Sequence, residues 1–430
     1  MRFTPWALAL SLCGAVLLTA CGGKGGSSSS SGTASVRLLN ATSSYASIDL
    51  TVNEVKHTSN IAYGKVGSYG NVDTSATTSK VTDSSNSATI ATTAPTLAGN
   101  NSYTLITYGF AGFTRTTLLQ EEEAAPDSGK AKLLVLNLSP DAGALDVYLT
   151  APTDSLDTAT RSVANLQSGS GSGFISMSSG SYRVRVTGYN QRSTDIRLDI
   201  PNLTLASAGV HTLILTGTDG GVLLNGVTLV QKGEVAPVLN TQARVRGVVA
   251  LNSGSSVSGT INGQAIVPAS VTPALGDYVS VTAGSATAQF AFNGATLTSP
   301  AKTLVAGNDY TLLVWGDPAN PQYTWNTDSN RLATSTGNAK IRLLNGMGTA
   351  AGPLNMSVDF AAVASSVAPG AISEFKEISA STSAFLEVTK PGTVEPLYSR
   401  SPLTFLPLAN YTVFVMPGAT GPVTTLRKER

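Results

Sequence analysis

The segment AKLLVLNLSPDAGALDVYLT, residues 131–150, contains the pattern that decides the fold. It opens with a short apolar run, passes through a turn-rich gap, and ends where apolar residues at 145, 147 and 149 alternate with Asp146 and Tyr148. Strict alternation of this kind is typical of a β-strand with one buried face. The segment therefore predicts two strands joined by a turn.

Three other segments open in the same way, so the chain is an internal repeat with a period of roughly 100 residues. The four openings are ASVRLLN (34–40), AKLLVLN (131–137), RGVVALN (246–252) and AKIRLLN (339–345). Alternating runs follow the first and fourth openings as well, at residues 48–53 and 354–359. The third copy departs most from this pattern.

Each repeat also closes alike. The closings are LAGNNSYTL (97–105), LASAGVHTL (205–213), LVAGNDYTL (304–312) and LPLANYTV (406–413). Six or seven short strands in each repeat, with regular turn signals, predict an all-β chain of about four tandem immunoglobulin-like β-sandwich domains. We place the four sandwich repeats at residues 34–126, 131–236, 243–335 and 339–430.

The closing motif puts an aromatic ring at the start of a late strand, just after a turn. This arrangement is similar to the tyrosine corner of β-sandwiches. We expect Tyr103, His211, Tyr310 and Tyr411 to be one structural position used four times, with a hydroxyl or imidazole N–H donating to a backbone carbonyl of the corner. The alternative is that these residues are plain core aromatics.

The segments between repeats are predicted to be linkers, at residues 121–130, 232–237 and 328–338. Repeats one and three both run into a Gly-(Lys/Asn)-Ala-Lys junction, whereas repeats two and four end in charged, strand-like segments. This difference indicates a duplicated pair, in which the first two repeats correspond to the last two.

The N-terminal residues are predicted to be a targeting signal. Arg2 precedes an apolar run from Trp6 to Leu18, which is too short to span a membrane but suits a signal peptide at residues 1–20. The run ends in Leu-Thr-Ala-Cys21, which resembles the bacterial lipobox and predicts lipidation of Cys21. An ordinary secretory signal is the alternative. Residues 21–33, rich in Gly and Ser, are predicted to form a flexible tether.

Composition excludes several classes of function. Charged residues make up 12% of the chain, and 27 basic against 26 acidic side chains leave a formal charge of +1. Nucleic-acid binding needs a basic face, so it is not expected. The chain has two histidines and none of the common nucleophile, metal-protease or phosphate-loop motifs. We therefore predict no catalytic residues, no cofactor and no enzyme activity.

Two groups of residues are candidate ligand sites. Glu121, Glu122, Glu123 and Asp127 stand at the first junction, where carboxylates suit calcium; the alternative is a solvated charged linker without a metal site. Trp315, Tyr323 and Trp325 crowd one region after the third closing strand. They are candidates for stacking on a sugar ring, or else they cap the third domain and its contact with the fourth.

The opening AKLLVLNLSPDAGALDVYLT (131–150), the internal segment IAYGKVGSYGNVD (61–73) and the closing AGNDYTLLVWG (306–316) resemble the bacterial domain-of-unknown-function family numbered 4397. The resemblance covers residues 34–430 in scattered form. It implies a β-sandwich fold and an association with surface and envelope proteins, and it brings no catalytic residues.

These observations lead to two functional hypotheses. The first is a lipid-anchored protein of the outer membrane, periplasmic or surface-exposed, with a structural or adhesive role and a protein or glycan partner at the cell surface. The second is a small-ligand module, above all a carbohydrate-binding one.

Overall fold

The computed structural model describes residues 32–76, 78–251, 254–393 and 395–430. Cys21 and the signal peptide lie outside these residues, as does most of the tether. The described chain consists of β-strands, with two short 3₁₀ turns at Arg192–Asp195 and Thr349–Ala351. Within it, no helix is both long and apolar enough to cross a membrane.

The first sandwich contains eight strands: β1 (Thr33–Thr42), β2 (Ser47–Val52), β3 (Val55–Ala62), β4 (Gly70–Asp73), β5 (Ser79–Asp83), β6 (Thr89–Thr93), β7 (Ser102–Phe110) and β8 (Phe113–Gln120). One sheet has the order β4-β1-β7-β8, and the other has the order β3-β2-β5-β6. Buried residues from both sheets form its core.

The second sandwich contains nine strands: β9 (Lys130–Asn137), β10 (Leu145–Thr150), β11 (Val163–Leu166), β12 (Gly171–Ser178), β13 (Gly180–Gly188), β14 (Ile196–Leu205), β15 (Gly209–Gly217), β16 (Leu224–Val230) and β17 (Val235–Val238). Its sheets are ordered β12-β9-β15-β16-β17 and β11-β10-β13-β14. The second half of the second predicted linker, residues 235–237, therefore belongs to strand β17.

The third sandwich contains eleven strands: β18 (Gln242–Ala250), β19 (Ser256–Ile261), β20 (Gln264–Val271), β21 (Ala274–Leu275), β22 (Val279–Thr282), β23 (Gly284–Ala286), β24 (Ala288–Phe292), β25 (Ala295–Thr298), β26 (Lys302–Leu304), β27 (Asp309–Asp317) and β28 (Asn320–Asp328). Its main sheets are β21-β18-β27-β28, with β22 also on β18, and β20-β19-β24-β25; β23 and β26 form a separate pair.

The fourth sandwich contains eight strands: β29 (Asn338–Asn345), β30 (Leu354–Val358), β31 (Ala361–Val367), β32 (Lys376–Ser379), β33 (Ser381–Thr389), β34 (Tyr398–Phe405), β35 (Asn410–Pro417) and β36 (Pro422–Lys428). Its sheets are ordered β32-β29-β35-β36 and β31-β30-β33-β34. The prediction of an all-β chain of tandem immunoglobulin-like sandwiches is confirmed.

In every sandwich the opening strand pairs in parallel with a late strand, which carries the closing motif. The equivalent pairs are Val36 with Tyr103, Leu133 with His211, Val245 with Tyr310, and Ile341 with Tyr411. This register aligns Ala243, and not Arg246, with Ala34. Our alignment of the third opening at 246–252 was therefore shifted by three residues; Asn252 itself lies outside the described residues.

The asparagine that ends the opening motif ties the two sheets of a sandwich together. The side-chain Nδ2 of Asn40 donates to the carbonyl of Ile61 at 3.0 Å, and that of Asn137 donates to the carbonyl of Leu166 at 3.0 Å. Asn345 makes the same link in the fourth sandwich. The third sandwich has the buried Val249 at this position and lacks the link.

The opening strands are apolar on both faces because the sandwiches pack in pairs. Each first strand contributes one face to its own core and the other face to a cluster shared with the neighbouring sandwich. The cluster between sandwiches one and two consists of Leu39, Ala41, Ile106, Tyr108, Leu138, Ile214, Val227 and Leu229. The cluster between sandwiches three and four consists of Val248, Ala250, Leu313, Leu344, Phe414 and Met416.

The four corner residues make the same hydrogen bond, but in the direction opposite to our expectation. The hydroxyl of Tyr103 accepts from the backbone N–H of the residue five positions earlier, at 3.1 Å, and those of Tyr310 and Tyr411 do so at 2.9 Å. In the second sandwich, Nε2 of His211 accepts from Ala206 N–H at 3.1 Å. The corner leaves a backbone donor to be satisfied, rather than a carbonyl.

This geometry predicts the effect of Tyr310→Phe. The substitution keeps the ring in the core and leaves the Val305 N–H without its acceptor, so the free energy of unfolding should fall by about 1 kcal/mol. Urea denaturation followed by fluorescence measures the change. Tyr323→Phe is the matched control, since the Tyr323 hydroxyl makes no hydrogen bond within the described residues. Equal stability of the two variants would contradict the role given to Tyr310.

His211 makes the second sandwich sensitive to acid. Burial lowers the pKa of its imidazole, and protonation of Nε2 would remove the acceptor for Ala206. The unfolded chain therefore binds a proton more readily than the folded chain, and stability is lost as the pH falls below about 6.5. We expect the denaturation midpoint to drop more between pH 7 and pH 5 in the parent than in His211→Tyr, which restores the residue of the other repeats. Parallel pH profiles would contradict this prediction.

Candidate functional site

A buried arginine stands on the first strand of the first sandwich and holds its last strand in place. Arg37 Nε donates to Thr104 Oγ1 at 2.8 Å, and Nη2 lies 2.9 Å from Glu121 Oε2. Arg37 also donates to the carbonyl of Gly233 in the second sandwich, at 2.8 Å. The Tyr69 ring packs against the guanidinium, and burial together with Glu121 raises the pKa of its hydroxyl. A buried charge pair of this kind is stable only when further hydrogen bonds help to offset the desolvation of both ions.

The same arrangement of arginine, threonine and acid recurs in sandwiches three and four. There, each arginine pairs with the acid of the other sandwich. Arg246 Nε donates to Thr311 at 2.9 Å, yet its carboxylate partner is Glu429 of the fourth sandwich, at 2.6 Å. Arg342 of the fourth sandwich pairs with Asp328, the last residue of β28, at 2.5 Å. The two ion pairs therefore cross the boundary in both directions.

The arginines of this cluster keep its buried carboxylate ionised. Burial opposes ionisation of Asp328, but the guanidinium groups of Arg342 and Arg246 outweigh it and hold the pKa of the carboxyl below its usual value. The Tyr278 hydroxyl donates to Asp328 at 2.8 Å, and its ring lies 4.5 Å from the Arg246 guanidinium carbon. Burial raises the pKa of Tyr278.

The second sandwich replaces both members of the pair with neutral residues. Register places Leu134 where the other sandwiches have the arginine, and Gln231 where they have the acid. The Gln231 side chain makes two hydrogen bonds to the backbone of Glu123, at 2.8 and 2.9 Å. The chain thus keeps the cross-sandwich contact where it loses the charges.

Three of the four acidic candidates for calcium are each directed to a different cation. Glu121 faces Arg37, Glu122 accepts from Lys232 at 2.6 Å, and Glu123 pairs with Lys132. The Lys232 hydrogen bond lowers the pKa of Glu122. Asp127 is exposed. In the described ranges, no group of three or more His, Cys, Asp or Glu side chains is arranged to hold a metal ion.

The three aromatic candidates do not form one platform. Trp315 faces the fourth sandwich, where Gly370 packs so closely that a Cβ there would lie 2.0 Å from the indole. Tyr323 and Trp325 pack on the opposite face of the hairpin, against the core of the third sandwich. The Trp325 ring meets Tyr310 edge-on at 6.5 Å. These contacts correspond to the capping alternative of the sequence analysis.

All four sandwiches meet at the segment 328–334, which we had predicted to be a linker. Asp328, Asn330 and Ala333 are buried there. Arg331 Nη2 donates to Ser43 of the first sandwich at 2.9 Å and to Asp219 of the second at 2.8 Å. The segment is packed because its polar groups pair with three neighbouring sandwiches.

Charged groups at this junction are partly desolvated. Lys340 Nζ donates to two carbonyls of the segment, at 2.9 and 3.1 Å, and burial lowers its pKa to about 8. Burial also lowers the pKa of Arg430 to about 10 and raises that of Asp141, against the opposing effect of Arg430. The junction between the two pairs is therefore rich in polar contacts, whereas each pair is also joined by an apolar cluster.

Arg331 begins a column of stacked side chains that ends in solvent. Its guanidinium carbon lies 4.5 Å from the Phe110 ring centre; Phe110 stacks on Phe113 with centroids 5.6 Å apart. The Arg115 guanidinium carbon lies 4.3 Å from the Phe113 ring centre, and Arg115 is exposed. The column was not predicted from the sequence, because Phe110, Phe113 and Arg115 have the pattern of an ordinary hairpin.

Two open clefts flank Arg115. The larger, of about 510 Å³, lies between the β5–β6 and β7–β8 hairpins and is lined by Tyr45, Asp83 and Asn86, among others. The smaller, of about 220 Å³, lies against the second sandwich and includes Tyr108 and Ser168. These clefts and the exposed guanidinium form the candidate functional site.

The sequence matches one family of proteins and is weakly similar to several solved structures. The family described as "Domain of unknown function (DUF4397)" matches residues 34–148 and 243–356, which together exceed half of the chain. No curated protein matches the sequence. Two solved structures, each described as "a putative cell adhesion protein", are similar. One, from Bacteroides uniformis, has 13% identity and a TM-score of 0.22, over 47% of this chain and 98% of the other. One from Bacteroides ovatus has 11% identity and a TM-score of 0.20, over 48% and 98%.

The second sandwich has the neutral residues Leu134 and Gln231 in place of the buried ion pair. This suggests a double-mutant cycle on Arg37 and Glu121 of the first sandwich. Arg37→Leu leaves the Glu121 carboxylate buried without its cation and should lower the free energy of unfolding by about 3–5 kcal/mol. Glu121→Gln alone strands the arginine and should also destabilise. The double variant copies Leu134 and Gln231, so it should lose less than the sum of the two single changes. Additive losses in urea denaturation would contradict a coupled pair.

Proposed function

The chain belongs to the DUF4397 family, and from this premise we propose that it is a lipid-anchored cell-envelope protein whose four sandwiches form a scaffold with an adhesive role. The observation that carries the proposal is the packing of the sandwiches in pairs. An apolar cluster joins the members of each pair, and two buried ion pairs also cross between sandwiches three and four. Such contacts resist bending, which suits a protein that holds a binding surface at a distance from a membrane.

The proposed anchor is Cys21. The sequence Leu-Thr-Ala-Cys21 at the end of an apolar run supports lipidation there. Two or more acyl chains anchor a protein stably where one would not. Gly22 follows the cysteine in place of Asp, and by similarity to the enterobacterial sorting rule this favours the outer membrane. The Gly- and Ser-rich residues after it would serve as the tether.

Mass spectrometry of the mature N-terminus tests the anchor. We expect cleavage before Cys21 and a mass increase that corresponds to acyl chains on that residue. Cys21→Ser should move the protein from the membrane fraction to the soluble fraction. An unmodified Cys21, or a mature N-terminus elsewhere, would overturn the lipoprotein part of the proposal.

Surface display is tested separately, on intact cells. A membrane-impermeant biotin reagent should label exposed lysines such as Lys56 if the sandwiches face outward. Labelling only after cell lysis would place the protein in the periplasm and contradict adhesion.

Carbohydrate binding is a second candidate function, and it is favoured by the two clefts beside Arg115. The clefts beside Arg115 are open and lined by polar and aromatic side chains. The site that we first considered, around Trp315, is instead packed between sandwiches. A binding role and an adhesive role are compatible, since adhesion needs a ligand.

A further inference from the structure

We propose that Arg115 and the two clefts beside it bind a carboxylated glycan. The inference rests on the proposed adhesive function and deepens it, because it names the class of ligand and the residues that would hold it. Nothing in the family description assigns a ligand to this site.

The guanidinium of Arg115 has no hydrogen-bond partner among the described residues. Among the described residues, Arg115 and Arg400 are the two arginines whose guanidinium groups donate no hydrogen bond. Arg115 differs from Arg400 in that its guanidinium carbon lies 4.3 Å from the centre of the Phe113 ring, a cation–π contact that limits its motion. A fixed guanidinium offers two parallel N–H donors and loses little freedom when a carboxylate binds. The charge is therefore available to a ligand.

The stacked column that ends at Arg115 is supported by side chains from other sandwiches. Phe113 is held by Phe110, which is covered by Arg331, and Arg331 pairs with Asp219 at 2.8 Å. Side chains from several sandwiches thus keep the exposed end in position. Sites that are fixed in this way bind with a smaller entropic cost than a mobile surface arginine.

The walls of the two clefts carry polar groups with unused hydrogen-bonding capacity. The hydroxyl groups of Tyr45 and Tyr108 make no hydrogen bond within the described residues. Asn86 uses its Oδ1 for a turn, which leaves Nδ2 free, and Asp83 uses Oδ1 alone. Unpaired hydroxyl, amide and carboxylate groups in an open cleft match the many hydroxyls of a sugar.

The same walls favour a sugar over an acidic peptide. Asp83 repels a dense row of carboxylates, whereas it accepts hydrogen bonds from sugar hydroxyls. One guanidinium between two clefts suits a chain in which single carboxylates alternate with hydroxyl-rich faces. An oligosaccharide of uronic acids has this pattern.

Isothermal titration with the full chain in detergent tests the inference. The probes are trigalacturonate, the neutral trisaccharide of galactose, and triglutamate. We expect trigalacturonate to bind, and Arg115→Gln to weaken that binding at least about tenfold, because the charge-assisted pair is lost. Arg400→Gln is the matched control and should bind as the parent does. Arg115 is exposed, so neither change should alter the circular dichroism spectrum.

Several results would overturn the inference. These are no binding of trigalacturonate, equal binding by the Arg115→Gln variant, or equal affinity for the neutral sugar. Equal affinity for triglutamate would replace the glycan with an acidic peptide. None of these outcomes depends on lipidation or surface display, so a failure here is distinguishable from a failure of the proposed function.

Discussion

The parallel pairing of the opening strand with the late strand is the constraint on which the rest of the structure depends. Parallel strands cannot be joined by a tight turn, so the other strands of each repeat are placed between them. The paired strands are buried on both faces, by their own core and by the neighbouring sandwich. Apolar residues of these strands accordingly face both sides of the sheet, and the sandwiches cannot separate without exposing the second face.

Burial on both faces also dictates where charges can stand. A guanidinium within such a sheet requires a carboxylate and further hydrogen bonds, or its desolvation would exceed any gain. Arg37, Arg246 and Arg342 meet this requirement with a threonine on the adjacent strand and an acid at the end of the last strand. The second sandwich meets it by having neither charge. One structural position therefore has two solutions, and each is self-consistent.

The two kinds of contact divide the molecule. An apolar cluster joins the members of each pair, and buried ion pairs cross between sandwiches three and four, whereas many contacts between the pairs are polar and centre on the segment around Arg331. That segment also supports the column that ends at Arg115. The candidate site thus lies on the first sandwich but is braced by the junction, which connects its geometry to the arrangement of all four repeats.

The sequence by itself determined the repeat, the strands, the sandwich class and the family. Alternation and turn residues are local signals, and four similar copies reinforce one another. It also marked Tyr103, His211, Tyr310 and Tyr411 as equivalent, although not the direction of their hydrogen bonds, because free backbone N–H and carbonyl groups look alike in sequence. The acids at 121–123 showed only as a charged run.

Only the tertiary structure decided which charges pair and which remain free. Glu121 lies 84 residues from Arg37, and Glu429 lies 183 residues from Arg246, so no local pattern connects them. The same holds for the column, whose members come from a hairpin of the first sandwich and the segment after the third. Long-range packing sets the distances between such groups, and charge and hydrogen-bond geometry then determine which of them are paired.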